Sequence, residues 1–261
     1  MPNITRFIAL GDSLTEGLSD KYSDGTYRGW ADRVANVLAE QSPEFTYANF
    51  AIRGKLLEQV TNQQVPLALD LIQGTSTLVT FHAGANNVLR PRFEPEVVFS
   101  QYREAVAKLA EQQPTLLLFT VREVSDPLTK TQIIWNQRFG PFKENVKKVA
   151  LEFGATVMDA NSREVFGDPR MLAADRLHLS TEGHRRVAAA VLSALEMPHD
   201  GDWQDPMPPF KPMPAPIRIV GSVAWGIAFL VPWVLRRVTK KSSGDGRVAK
   251  HNELVTWSPK T

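Results

Sequence analysis

Short apolar runs alternate with longer amphipathic stretches, which predicts an α/β protein built on a parallel sheet that helices cover on both faces. Five runs carry the strand signature: Arg6 to Leu10, Phe45 to Ala51, Thr77 to Ala83, Thr115 to Val121 and Ala155 to Met158. They are short, rich in β-branched or aromatic residues, and mostly bounded by Gly, Pro, Asp or Asn. Helical stretches at about Trp30 to Gln41, Leu56 to Ile72, Pro95 to Gln112 and Ile134 to Phe153 separate them. Near-continuous apolar strands joined through helices belong in a parallel sheet, because a parallel connection needs a crossover.

Taken in order, these elements deliver polar residues to one edge of the sheet. The first strand runs into Gly11-Asp12-Ser13-Leu14, the second into Ile52-Arg53-Gly54, and the third into Gly84-Ala85-Asn86-Asn87. Ligands of such sheets bind beyond the carboxyl ends of the strands. The last two strands complete the sheet, and the chain then returns through Asp175-Arg176-Leu177-His178. Ser180 or Thr181 is the expected N-cap of a helix from Arg185 to Leu195, which leaves His178 on the loop ahead of it.

Those residue types suit nucleophilic catalysis. A serine hydroxyl attacks only beside a base that takes its proton, and an imidazole serves at neutral pH when an acid orients it. Ser13 is the candidate nucleophile, His178 the base, and Asp175 the acid that accepts from one ring nitrogen. The N–H groups of Ser13 and Gly54 and the side-chain amide of Asn86 form a natural oxyanion hole. Asp12 is better read as holding the serine turn rigid than as a second partner for His178. His184 reads as an exposed or capping histidine, and His82 as a residue that packs in the sheet.

The four blocks Gly11-Asp12-Ser13-Leu14, Gly54, Gly84-Ala85-Asn86-Asn87 and Asp175-Arg176-Leu177-His178 resemble, in order, those of the SGNH hydrolases, the GDSL-type esterase/lipase family. The resemblance spans roughly residues 5 to 195. It implies a three-layer, flavodoxin-like fold with a five-stranded parallel sheet, and it assigns the orienting acid to the residue three before the histidine. It departs at Asn87, where the family usually carries Asp. The implied activity is carboxylic ester hydrolysis through a Ser13 acyl-enzyme on a small-molecule, lipid or sugar ester. An acyltransferase would use the same triad, and a non-catalytic membrane-surface protein is the reading from another class.

Composition narrows the alternatives. The 261 residues are 43% apolar and carry a net charge of +2, with no basic block interleaved with aromatics in the first 195 residues, which argues against nucleic acid as a partner. Without cysteine there is no disulfide framework or thiol nucleophile, and five scattered histidines offer no metal cluster. No cofactor is expected. The first residues enter the first strand without a signal-like run, so a cytoplasmic location is expected. Tyr27, Arg53 and Asn87 are the candidate substrate contacts, and Arg53, Arg90 and Arg122, each past a strand end, would favour an anionic or polyhydroxylated substrate.

Beyond the catalytic domain, residues 1–197, the composition shifts. Residues 198–216 hold seven of the eighteen prolines and read as a linker. Residues 217–235 are almost wholly apolar, interrupted by Arg218 and Pro232, and lead into Arg236-Arg237 and Lys240-Lys241. Nineteen residues suffice for a membrane span, but a cytoplasmic catalytic domain would put this basic cluster on the wrong side. Segment 217–241 is therefore expected to pack its Ile219, Val223, Ile227 and Leu230 face on the domain, with membrane-surface contact as the second reading. Residues 242–261 are polar and expected to form a flexible tail.

Overall fold

Successive residues of the first strand point to opposite faces and serve two separate cores. The computed structural model describes residues 3–124, 129–209, 214, 221–232, 235, 239 and 242–260. In β1 (Arg6–Gly11), Phe7 and Ala9 enter one core while Ile8 and Leu10 enter the other. The chain continues through α1 (Ser13–Glu16), α2 (Gly29–Gln41), β2 (Thr46–Asn49), α3 (Leu57–Gln63), α4 (Val65–Leu69) and β3 (Thr77–His82). It then forms α5 (Ala85–Val88), α6 (Pro95–Ala110), β4 (Thr115–Phe119), α7 (Lys130–Phe153), β5 (Thr156–Met158), α8 (Thr181–Ala194) and β6 (His251–Thr256). Helices α2 and α8 cover the Phe7 face, with Trp30, Leu38, Val187 and Val191 buried there. Helices α3, α4, α6 and α7 cover the Ile8 face through Val60, Val65, Tyr102, Phe142 and Val146.

The sheet order is β5-β4-β3-β1-β2-β6. The first five strands are parallel, and β1 lies between β2 and β3. This is the doubly wound order in which connections leave β1 in opposite directions, opening a crevice at the carboxyl ends of β1 and β3. Ser13 and Asn86 follow those two ends.

The sixth strand corrects two expectations, a sheet of five strands and a flexible tail over 242–261. Strand β6 pairs antiparallel with β2, matching Thr46 with Thr256, Tyr47 with Val255 and Asn49 with His251. The polar composition that suggested disorder conceals buried anchors. Trp257 packs edge-on against Tyr47, and Lys250 forms a 2.7 Å ion pair with Asp32, whose side chain is 1% exposed.

The expected packing of the apolar segment on the domain is also corrected where it is described. Gly221 to Pro232 is helical, but Val223 and Ile227 are 60% and 66% exposed. Its domain contact runs instead through Trp225, whose ring lies 4.8 Å from the Arg176 guanidinium. Ile219, Arg236-Arg237 and Lys240-Lys241 lie outside the described residues, as does the side chain of Leu230. Among the described residues, no helix is long and apolar enough to cross a membrane.

The stretch from Leu56 to Ile72, read as one helix, is two. Pro66, which has no N–H to continue the ladder, sits in the first turn of α4 and divides the run at Gln64, whose side chain accepts from the Gly11 N–H at 2.8 Å and donates to the Gly11 carbonyl at 2.9 Å. This buried pair fixes the end of β1, the residue before the Asp12-Ser13 turn.

Candidate active site

Ser13 is the first residue of α1, directly after Asp12, the N-cap. Asp12 Oδ1 accepts from the Leu14 N–H at 3.4 Å, and its Oδ2 accepts from Asn86 Nδ2 at 2.9 Å. The serine turn is thus tied to the loop after β3, in keeping with the structural reading of Asp12. Burial pushes the Asp12 carboxyl up to about 6, against the opposing pull of the Leu14 N–H, the charge of His178 and the Asn86 amide.

Within the loop ahead of α8, Asp175 and His178 form a closed unit. Asp175 Oδ2 lies 2.6 Å from His178 Nδ1, while Oδ1 accepts from the backbone N–H groups of Leu177 and His178, each at 3.0 Å. Burial opposes ionisation of Asp175, but these hydrogen bonds hold its carboxyl down to about 2. A carboxylate on Nδ1 keeps the proton there and leaves the Nε2 lone pair outward. The loop is braced by an antiparallel bridge between Leu172 and Leu179 and a 2.8 Å bond from the Ala173 N–H to the His178 carbonyl. Ser180, one of the two expected caps, accepts from the Gly183 N–H and starts α8. Among the described residues the Ser13 hydroxyl makes no hydrogen bond, and catalytic contacts of this kind often tighten only once substrate binds.

Asn86 is the cross-link of the site. Besides donating to Asp12, its Nδ2 donates to the Lys55 carbonyl at 3.1 Å, one residue past Gly54. One amide therefore joins the ends of β1, β2 and β3. Gly54 itself has a φ of +74°, a left-handed conformation that favours glycine. Asn87, where the family's usual Asp is replaced, accepts from the Leu57 N–H at 2.8 Å and donates to Glu58 Oε2 at 3.1 Å. It caps α3 from a distance, and an amide suits the place because a carboxylate would face Glu58. Asn87 also lines a cleft of about 270 Å³ with Leu56, Arg90 and Phe93.

Two of the proposed substrate contacts have other employment. Arg53 is buried and donates from its backbone N–H, Nε and Nη2 to Glu16 of α1. Its guanidinium carbon lies 4.7 Å from the centroid of the Tyr27 ring, whose hydroxyl receives its remaining Nη at 3.5 Å. A guanidinium so enclosed is scaffold, which corrects its reading as a free anion contact. His184 is fully buried rather than exposed: Nδ1 accepts from the Trp30 N–H at 3.1 Å and Nε2 donates to the Leu18 carbonyl at 2.9 Å. Helix α8 runs from Thr181, directly after the Ser180 cap, and position 184 lies on the face that packs against α2, where the Trp30 N–H and the Leu18 carbonyl meet it. His82 packs in the sheet as expected, stacked on Phe119 with ring centroids 4.9 Å apart.

A doubly wound sheet with a serine turn at its switch point and an Asp–His pair on a late loop defines an α/β hydrolase architecture of the SGNH type. The chain belongs to the GDSL-like lipase/acylhydrolase family, whose model matches residues 9–186, and it is accordingly a carboxylic ester hydrolase. Solved structures share the fold. An α/β hydrolase, LAE5, from the metagenome of Lake Arreo, Spain, is 20% identical with a TM-score of 0.60, covering 74% of this chain and 95% of its own. The acetylxylan esterase Axe2 of Geobacillus stearothermophilus is 17% identical with a TM-score of 0.60, covering 77% of this chain and 100% of its own. The psychrotrophic esterase EstA of Pseudoalteromonas sp. is 16% identical with a TM-score of 0.57, covering 74% and 97%. No curated protein sequence matches the chain.

Proposed function

We propose that this chain hydrolyses esters through a covalent Ser13 acyl-enzyme, with His178 as general base and Asp175 as the orienting acid. The observation that carries the reading is the 2.6 Å Asp175–His178 contact, with the Asp175 carboxylate fixed by the Leu177 and His178 N–H groups. The catalytic mutants of Axe2 add support by analogy. They alter one serine, one aspartate and one histidine, the last two three residues apart as Asp175 and His178 are here.

The steps follow from the groups present. His178 Nε2 takes the Ser13 proton as Oγ attacks the carbonyl carbon, and Asp175 stabilises the imidazolium that forms. The carbonyl oxygen becomes an oxyanion that accepts from the N–H groups of Ser13 and Gly54 and from Asn86 Nδ2. Before substrate arrives Asp12 and Lys55 accept hydrogen bonds from both Nδ2 protons, so one of these bonds is exchanged for the oxyanion as the charge develops. The tetrahedral adduct collapses, the ester C–O bond breaks, and His178 returns its proton to the leaving alkoxide. Water, deprotonated by His178, then attacks the acyl carbon and releases the acid and free Ser13.

Hydrolysis of p-nitrophenyl acetate and of longer esters by wild type, Ser13→Ala and His178→Ala tests this. Each variant should lose kcat by a factor on the order of 10⁴ or more. A Ser13→Ala protein with wild-type turnover would overturn the mechanism.

A further inference from the structure

The segment after the apolar stretch returns to the site and closes on the loop that carries Gly54. Ser242 Oγ donates to the Gly54 carbonyl at 3.5 Å across a separation of 188 residues. A Cβ on Gly54 would collide with Ser242 Oγ and lie 3.4 Å from Ser243 Oγ. Reciprocally, Gly244 is buried against the Arg53 carbonyl, where a Cβ would collide with that oxygen and sit 3.1 Å from Ile52 Cγ2. The two glycines interleave two backbones, and no side chain fits between them.

The turn that makes this contact is held from within and anchored behind. Ser242 Oγ also accepts from the Gly244 N–H at 3.2 Å, and the Ser242 N–H donates to Asp245 Oδ2 at 2.7 Å. Downstream, Lys250 pairs with Asp32 and donates to the Arg28 carbonyl at 2.5 Å, β6 joins β2, and Trp257 Nε1 donates to Asn36 at 2.9 Å. On its other side the Arg53-Gly54 loop is gripped by Glu16, which accepts from the Arg53 N–H at 2.7 Å.

We propose that Ser242 to Gly246 is a strap that fixes the Arg53–Gly54 peptide in its oxyanion-donating orientation, Gly244 by closing on its carbonyl and Ser242, the positioning residue, by holding the next peptide through the Gly54 carbonyl. In a trans peptide the C=O and the N–H point in opposite directions. With the Arg53 carbonyl pressed against Gly244, the Gly54 N–H points away from the strap. Without the strap the Arg53–Gly54 peptide is held only through its neighbours, by Glu16 at the Arg53 N–H and by the bond from the Lys55 N–H to the Ile52 carbonyl across the turn, and a rotated peptide presents its carbonyl where the donor should be. The working domain then includes residues 242–257 as well as the chain up to Asp205, where Trp203 is buried in the core and Arg186 donates to the Trp203 and Asp205 carbonyls. This inference rests on the Ser13 acyl-enzyme reading.

The test uses the full chain with Ser242→Ala, Ser242→Thr and Gly244→Ala. Ser242→Ala and Gly244→Ala should lower kcat on p-nitrophenyl acetate by about 10- to 100-fold with KM within about twofold, less than the ~10²–10³ lost when an oxyanion donor is removed outright. Affinity for a trifluoromethyl ketone, which adds to the serine as a tetrahedral oxyanion, should fall by the same factor as kcat/KM. Ser242→Thr, which keeps the hydroxyl, should recover most of the loss. Wild-type kcat in both Ser242→Ala and Gly244→Ala, with wild type active, overturns the strap and leaves the Ser13 mechanism standing. A loss that tracks thermal unfolding, with ketone affinity of the folded fraction unchanged, also overturns it. A wild type that neither turns over esters nor is labelled at Ser13 by a fluorophosphonate overturns both.

Discussion

Asp175 and His178 sit in a loop so short that its own backbone supplies two of the carboxylate's three hydrogen bonds. Asp175→Asn keeps the shape but cannot hold the proton on Nδ1, so kcat should fall about 10⁴-fold with KM little changed, as in other serine triads. Steady-state kinetics on a chromogenic ester checks it. Asn87 makes a second prediction: Asn87→Ala removes the acceptor for the Leu57 N–H and should cost about 1 kcal/mol in urea unfolding. Asn87→Asp should also destabilise at neutral pH, because it sets a carboxylate against Glu58, and the deficit should shrink as acid protonates the pair. At this scale the pairing of Asp175 with His178 was legible because both lie in one short loop, and Ser13, Gly54 and Asn86 stand out as candidates because each lies in a local motif past a strand end. What Asn86 does to Asp12 and Lys55 was not, since the three residues meet only once β1, β2 and β3 lie side by side. Arg53 misled for a related reason: a cation past a strand end looks available until Glu16, far back in the chain, is found beneath it.

Among the elements, the sheet and its helices were legible from periodicity, which two-sided burial imposes on every central strand. Strand β6 was missed because its neighbourhood is dominated by Ser, Gly, Asp and Lys, and its anchors are single residues. The signal available was the alternation of Leu254 with Thr256 and the Trp257 that follows, preceded by a Gly-Asp-Gly turn. Lys250 looked like one more surface cation, yet it neutralises an Asp32 that also accepts from the Tyr47 hydroxyl at 2.9 Å. Lys250→Ala strands that carboxylate and should destabilise the protein by about 3–5 kcal/mol. Breaking the exposed Arg103–Glu152 pair with Arg103→Ala should move the urea midpoint far less, because solvent screens that pair. Urea midpoints of the two variants, measured together, decide whether β6 is anchored as described.

For the molecule as a whole, the buried titratable groups set an acid limit on stability. Burial lowers His82 and His184 to about 4, so between about 6.5 and 4 the unfolded chain takes up protons that the native state refuses. Stability should fall as pH drops through that window. Asp12, raised to about 6, works in the opposite sense by binding a proton in the native state, and offsets part of the loss. Below about 4 the hydrogen-bonded carboxylates Asp159, Asp175 and Glu182, all held near 2, add a second decline. Urea midpoints at pH 7, 5.5 and 4 should decrease in that order, and a midpoint at pH 4 equal to that at pH 7 would sink this account. The pairing of β2 with β6 carries a further consequence, for synthesis. A ribosome delivers β2 about two hundred residues before its partner, so the edge of the sheet stays open while most of the chain is made. The four sequence blocks have all emerged by residue 178, yet the loop that carries Gly54 gains its outer support only after residue 257 does. Nascent chains stalled between those points would carry the complete motif set without the finished site, and a ribosome-bound series of increasing length should gain ester turnover late and in one step.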